Sequence, residues 1–468
     1  MVQDWLAQIS SGETTAVAQA LAKVRADMEA TWTRRSLEAA EEQRRQLLDA
    51  SPWLELRVEE AAAYRVEGEC GQWSFATHRV VCQGNGRVLY DTRANLPTRR
   101  GTARLRTEGF RELALFLGAG KHSFRDCSRF LARFRHQRQA VPVTTLRDFV
   151  EEEGTRVARS LEAVVAKTLA GPLPDAPRTD GPTLSPAQLD KAFAEAKVPD
   201  ALRAEALANP VPFTPPEATL SLSADAVFCK RQKQHRGRPR TDQQRRTVST
   251  CCATLIFQGR RLVLAAADYP TLARACLAAM VTNRLLTVLC CLLSDGERKL
   301  RDEFVAVLDC VASGFHHVLD WHHLHQRCGQ LMSLALKGKQ VRNDWLSQLM
   351  ALLWHGCTDS AIRLLDTIPQ AAVKARQPLQ DLAEYLARRR EQIPVYSVRR
   401  CLGLPLSSNA VEKANDRLVS TRQKGRGMSW SPQGSFALAA VRLVTCNGQE
   451  RTWLRQGRFS LKLPPAPA

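Results

Sequence analysis

The sequence predicts an α/β chain, a mixed sheet carrying an all-helical insertion, preceded by helical and helix-turn-helix regions on its N-terminal side. Three observations carry this. Between 219 and 320, strand-like apolar runs and helical periodicity follow in the order strand, strand, strand, helix, strand, helix, strand. Residues 1–52 and 107–170 have helical periodicity. Ten of the chain's 23 prolines fall between Pro172 and Pro216, which marks a linker between folded parts. A chain of 468 residues that is 44% hydrophobic suits roughly two to four domains with real cores.

Taken in order, residues 1–52 are rich in good helix formers, a segment free to pack or to dimerise. Residues 53–106 alternate around Gly84-Asn85-Gly86, as a small β-hairpin module does. Residues 107–170 give three helical runs, split by Gly118-Ala119-Gly120 and by Val141-Pro142-Val143, a spacing that suits a helix-turn-helix. On that reading Thr144 caps the third run, and Thr145 and Arg147 face a DNA groove. Lys121, Arg125, Arg129 and Arg133, with Arg135 and Arg138, supply phosphate contacts. A helical bundle with a basic face is the other reading. Residues 171–218 form the proline-rich linker, broken by one short helical stretch. The α/β domain spans 219–453, with the helical insertion at about 325–400, and 454–468 is a tail.

Lys and Arg number 67 against 47 Asp and Glu, a formal charge of +20, the footprint of a polyanion-binding protein and first of all a nucleic-acid binder. No apolar run of membrane-spanning length and no signal-peptide pattern occurs, so a cytoplasmic location is expected. The fourteen cysteines form no Cys-x-x-Cys pair and lie mostly within apolar runs, as reduced core residues do. His322, His325 and Cys328 drift around a helix and would close a zinc site poorly.

Three acids carry the chemistry: Asp225 in an extended run, Asp295 in Ser294-Asp295-Gly296 after a very apolar strand, and Glu412 in a helical stretch. In-line displacement at a phosphodiester needs divalent ions held by converging carboxylates, and two Asp with one Glu suffice. Each has a plainer reading. Asp225 and Asp295 can be strand-end or turn residues, and Asn409-x-x-Glu412 fits a capping box. Asp268, after an apolar strand, is the best rival ligand.

These residues, with Asp320-x-x-His323 after a strand and the block NAVEKANDRLVSTRQKGRGMSWSPQG, resemble the DDE transposases of bacterial insertion sequences. The Asp-x-x-His element is similar to the C/D-x-x-H signature of Mutator-like relatives. The resemblance covers about 221–453 and implies a ribonuclease H-like catalytic domain. It implies two Mg²⁺ (or Mn²⁺) ions held by Asp225, Asp295 and Glu412, with Asp320 and His323 supporting the site from behind. Double-stranded DNA, both element ends and target, is the implied partner, and a homodimer suits paired ends. Lys230, Arg231, Lys233, Arg236, Arg238 and Arg240 after the first acid, and Arg417, Arg422, Lys424 and Arg426 after Glu412, would neutralise phosphates. Trp430 could stack on an unpaired base or pack in the core, and Arg388, Arg389 and Arg390 could face DNA or solvent. Many relatives have glycine after the first acid, where this chain has Ala226. The implied activity is DNA end cleavage and strand transfer. The alternatives are a catalytically silent DNA-binding protein descended from a transposase and a metal-dependent DNA nuclease.

Overall fold

The computed structural model describes residues 2–96, 98–99, 102–136, 141–171, 183–233, 246–308, 315–425 and 427–465, the side chains of 2–10, 13, 95, 98–99 and 102–105 excepted. Arg138, Arg236, Arg238, Arg240 and Arg426 lie outside the described residues. The chain is mixed α/β and divides into two compact units, 1–150 and 151–468.

In the first unit a long helix, α1 (Val2–Ala50), precedes seven strands: β1 (Leu56–Glu60), β2 (Tyr64–Gly68), β3 (Gly71–Phe75), β4 (His78–Cys82), β5 (Val88–Asp91), β6 (Thr98–Arg99) and β7 (Thr102–Arg106). They form two small sheets, ordered β1-β4-β5 and β3-β2-β7-β6. The Gly-Asn-Gly segment does join β4 to β5, but the region holds more than one hairpin. The second sheet is built on a turn between Gly68 and Gly71, where Gly71 has φ 116, and Glu69-Cys70 carries no hairpin signal. Tyr64, Val66, Trp73 and Phe75 are buried together on it. Side chains of α1 accept hydrogen bonds from the strand backbone: Glu29 from Ser74, Thr33 from Ala76 and Ser36 from His78. The helix therefore packs on its own unit.

Helices α2 (Glu108–Ala119), α3 (Phe124–Phe134) and α4 (Val143–Leu169) match the three predicted runs in extent. Thr107 and Ser123 cap the first two by accepting backbone N–H groups. The third starts earlier than expected, because the carbonyl of Pro142 already accepts from Leu146 N, so Thr144 lies inside the first turn and is not its cap. Lys121, Arg125, Arg129, Arg133 and Arg147 are exposed and Thr145 is half-buried. Arg135, by contrast, is a buried residue. Its guanidinium, 2% exposed, donates to Glu67 Oε1 and Gly68 O, both at 2.6 Å, and so is no phosphate contact. Arg135→Ala would strand the buried Glu67 carboxylate. The expected cost is about 3–5 kcal/mol, read as a lower denaturant midpoint of this unit.

The division between units falls inside α4, not in the proline-rich segment where the sequence places it. From Glu151 onward α4 is committed to the second unit: a Cβ on Gly154 would lie 1.9 Å from Ala437 O, so only glycine admits that approach. Nor are residues 183–218 only a linker. Helices α5 (Pro186–Glu195) and α6 (Asp200–Leu207) bury Phe193 and Ala206 against Cys357, Val395 and Val398. Glu205 caps a later helix by accepting from Asp359 N and Ser360 N. Proline density marked turns between short core helices.

The second unit centres on a five-stranded mixed sheet: β8 (Thr219–Lys230), β9 (Thr247–Phe257), β10 (Arg260–Ala266), β11 (Leu289–Ser294) and β12 (Phe315–Leu319), in spatial order β10-β9-β8-β11-β12. The β10–β9 and β9–β8 pairs are antiparallel, and β8–β11 and β11–β12 are parallel. Strand β11 is buried throughout, as a parallel strand covered on both faces must be. Helix α7 (Tyr269–Thr282) connects β10 to β11, and α8 (Arg298–Leu308) precedes β12.

A helical layer follows: α9 (Trp321–Ala335), α10 (Lys339–Trp354), α11 (Thr358–Asp366), α12 (Gln377–Arg389) and α13 (Tyr396–Cys401). It has its own core, including Leu324, Leu349, Leu382 and Leu386, and Tyr396 Oη ties it to the sheet by donating to Leu319 O at 2.7 Å. The chain then returns through α14 (Asn409–Asn415), a π-helical turn (Asp416–Ser420) and α15 (Thr421–Gln423), and closes with α16 (Pro432–Cys446) and α17 (Glu450–Gln456).

Candidate active site

Three acids stand level where the parallel pairing ends: Asp295 and Asp320 directly follow β11 and β12, while Asp225 lies inside β8, which runs on to Lys230 against β9. Ser223 pairs with Leu293 across β8 and β11, so two residues further Asp225 is level with Asp295. Ser294 pairs with Leu319 across β11 and β12, so one residue further Asp295 is level with Asp320. Ligand and reaction sites of open α/β sheets collect at this edge.

Asp225 is half-buried. Its Oδ1 accepts from Ala226 N at 2.7 Å and its Oδ2 from Asn415 Nδ2 at 2.8 Å. Alanine after the acid therefore still supplies its amide. Asp295 is exposed, and its Oδ1 accepts from Glu297 N at 2.8 Å. Arg389 donates to Gly296 O and to Gln392 Oε1, bracing the loop after Asp295. Of its neighbours, Arg390 pairs with Asp359 and Arg388 donates to Glu384 O, so the triplet has three separate local roles.

Asp320 is fully buried and saturated. Oδ1 accepts from His323 N at 3.0 Å, and Oδ2 from the backbone N–H and, at 2.8 Å, the Oγ of Ser408. Burial alone would raise this carboxyl, but contact with the His323 ring and the hydrogen bonds from Ser408 and His323 hold it well below the usual carboxylate range. His323 Nδ1 lies 3.4 Å from Asp320 Oδ1, an ion-pair contact that raises the imidazole, helped by the charges of Asp295 and Glu412.

Glu412 is exposed on α14, and among the described residues nothing hydrogen-bonds its carboxylate. The capping box is not formed, since Ser408 stands at the cap position and is spent on Asp320. Helix α14 is thus pinned at both ends, by Ser408 on Asp320 and by Asn415 on Asp225, with Glu412 between them. Asn415 follows Glu412 by one helical turn, so both address the sheet edge.

Burial raises the Asp225 carboxyl, the Ala226 amide works against it, and the charges of Asp295 and Glu412 raise it further, with His323 opposing. These groups therefore share one electrostatic site. Among the described residues the one group of three His, Cys, Asp or Glu ligand atoms that converges, all within 4.8 Å, is Asp320, His323 and Glu412, not the three predicted acids. Within it Asp320 has little left to give, because its lone pairs already face protein donors. Among the described residues Glu412 and Asp295 keep an oxygen that accepts no hydrogen bond, whereas each Asp225 oxygen already accepts one and keeps only its second lone pair. Hard oxygen donors are the class that Mg²⁺ or Mn²⁺ takes, though of these three acids only Glu412 belongs to the converging group. Asp268 is an exposed helix cap, accepting from Thr271 N at 2.9 Å, and is no rival.

A comparison with protein-family models, curated proteins and solved structures finds no match.

Of the basic residues expected on DNA, Lys230, Lys233, Arg417 and Lys424 are exposed and Arg231 is half-buried. The chain after α15 returns to the end of β8, where Trp430 N donates to Lys230 O at 2.9 Å. Lys424 acts electrostatically on Cys229, placing it beside the same strand end. One open reading closes and one expectation fails. Trp430 is 9% exposed with its indole N–H donated to Gln423 O, so it is a core residue and no base-stacking platform. Arg422, 2% exposed, lies over the Trp430 ring and donates to Met428 Sδ, out of reach of a phosphate.

Sequence reasoning missed Asn415, Ser408 and a buried pair beneath Asp295. In that pair His317 Nε2 lies 2.7 Å from Ser294 Oγ, which also accepts from Gly296 N. Burial, then Arg389 and Arg301, push His317 down to about 3. Its unfolded value is about 6.5. Between these values the unfolded chain binds a proton that the folded chain refuses, so stability is lost as pH falls below about 6.5, by about 2 kcal/mol at pH 5. His317→Gln should lack this loss when denaturant midpoints at pH 7.5 and pH 5 are compared. His323, raised and so of opposite sign, is common to both proteins and cancels.

Proposed function

We propose that the chain is a metal-dependent polynucleotidyl transferase, a transposase of the DDE type acting on double-stranded DNA. The observation that carries this is the level placement of Asp225 and Asp295 on adjacent parallel strands, with Glu412 delivered to them by a helix pinned to Asp320 and Asp225. The strand order β10-β9-β8-β11-β12, with the first strand of the sheet at its centre, is the order a ribonuclease H-like sheet requires. The formal charge of +20 and the exposed Lys230, Lys233, Arg417 and Lys424 suit a phosphodiester backbone. Lys121, Arg125, Arg129, Arg133 and Arg147, exposed on three successive helices and their connections, suit a helix-turn-helix in the first unit.

The reaction exchanges one P–O bond for another. Water cleaves at an element end, releasing a 3′-hydroxyl, and that hydroxyl then attacks a target phosphodiester. Divalent cations would supply the charge neutralisation such displacements need. Asp225, Asp295 and Glu412 would hold them. Asp320 and His323 orient the start of α14, and no side chain of the site is required as a general base.

The test uses supercoiled plasmid with Mg²⁺ or Mn²⁺. Nicking that leaves extendable 3′-hydroxyls, and stops with chelator, is expected. Binding to the plasmid with no nicking in either metal would favour the silent DNA-binding reading. Nicking with no joining of element-end DNA to a second duplex would favour a nuclease.

A further inference from the structure

Asn415 has no part in the three-acid description, yet it touches the most constrained of those acids. Its side chain is 6% exposed and donates through Nδ2 to Asp225 Oδ2 at 2.8 Å. An ionised carboxylate only accepts, so the amide must turn its NH₂ group toward Asp225. The consequence falls on the other end. Among the described residues Asn415 Oδ1 is buried with no hydrogen-bond partner, so the fold bears the desolvation of that acceptor. Orphaned buried acceptors are scarce in folded proteins and call for a reason. Asn415 is also the last residue of α14 before the backbone widens into the π turn at Asp416, a distortion often met at functional sites.

We infer that Asn415 is a positioning residue for the cation site: it fixes the Asp225 carboxylate and sets the α14 helix bearing Glu412 at the depth where both acids can share a cation. This rests on the metal-dependent reading. With one Asp225 oxygen held by Ala226 N and the other by Asn415, the carboxylate has a single orientation. Without the amide it is free to rotate toward bulk water, away from Asp295 and Glu412, whose charges repel it. The bond stabilises and the orphaned carbonyl destabilises by similar amounts, so the residue contributes little net stability while it orients the acid.

That balance gives the role a signature. Asn415→Leu keeps the shape while removing donor and orphan together, and Asn415→Ala is the second variant should leucine disturb packing. Mn²⁺ binding to the full chain is followed by calorimetry and by the Mn²⁺ spin-resonance signal, with Asp225→Asn as control. Melting in chelator should stay within about 2 °C of the parent, because the two terms offset. Affinity for Mn²⁺ should fall about 10- to 100-fold, as for residues that orient metal ligands. A variant that melts lower yet binds Mn²⁺ as the parent does would overturn the inference and leave a structural role. Equal melting and equal affinity would overturn it as well. A parent chain that binds no Mn²⁺ would overturn the metal-dependent reading itself, and the inference with it.

Discussion

Asp225→Asn should lower Mn²⁺-dependent nicking by about a thousandfold or more, the scale on which catalytic-site groups fail when removed, without lowering thermal stability. The two halves have one cause. Burial and the charges of Asp295 and Glu412 raise the Asp225 carboxyl, so at neutral pH its ionisation opposes folding. The asparagine keeps a carbonyl oxygen for Ala226 N, turns its NH₂ group toward Asn415, whose amide can flip to accept through Oδ1, and discards the charge, so melting should hold or rise. Asp268→Asn is the contrast. It alters only an exposed cap of α7, and nicking should stay within about twofold, at most about 1 kcal/mol of stability being lost. Plasmid nicking rates and melting curves on the same preparations read both effects.

Asp320→Ala should cost both stability and activity. The fully buried carboxylate accepts from His323 N, Ser408 N and Ser408 Oγ, and alanine leaves those donors without a partner. A loss of about 3 kcal/mol or more follows. Since Ser408 starts the helix that carries Glu412, nicking should also fall, by about 10- to 100-fold. Chemical denaturation reads the first effect. A nicking assay well below the melting temperature reads the second on folded protein. Loss of stability with full activity would make Asp320 a cap of α9 and nothing more.

The course of the α/β half was legible because its signals are local and repeated. Apolar runs marked β8 to β12 and helical periodicity marked α7 and α8, in the order the sheet displays. Asp295 and Glu412 stood out after a strand and on a helix, and Asp225 in an extended run, although β8 continues past it to Lys230. What escaped was non-local. The paired register that sets Asp225, Asp295 and Asp320 level is a property of three strands together. Asn415 had a faint signal, one turn after Glu412 on the same helix face, and Ser408 had none beyond preceding a helix. Charge misled where burial decided: Arg135 found Glu67, and Arg422 found the Trp430 ring. Proline misled too, since the residues around α5 and α6 are short core helices joined by turns.

Crystals of the full chain soaked in MnCl₂ and measured at the manganese absorption edge test the central claim most directly. Anomalous density bounded by Asp225, Asp295 and Glu412 is the expected result. Density held by Asp320 and His323 alone, or none beside these acids, would contradict it.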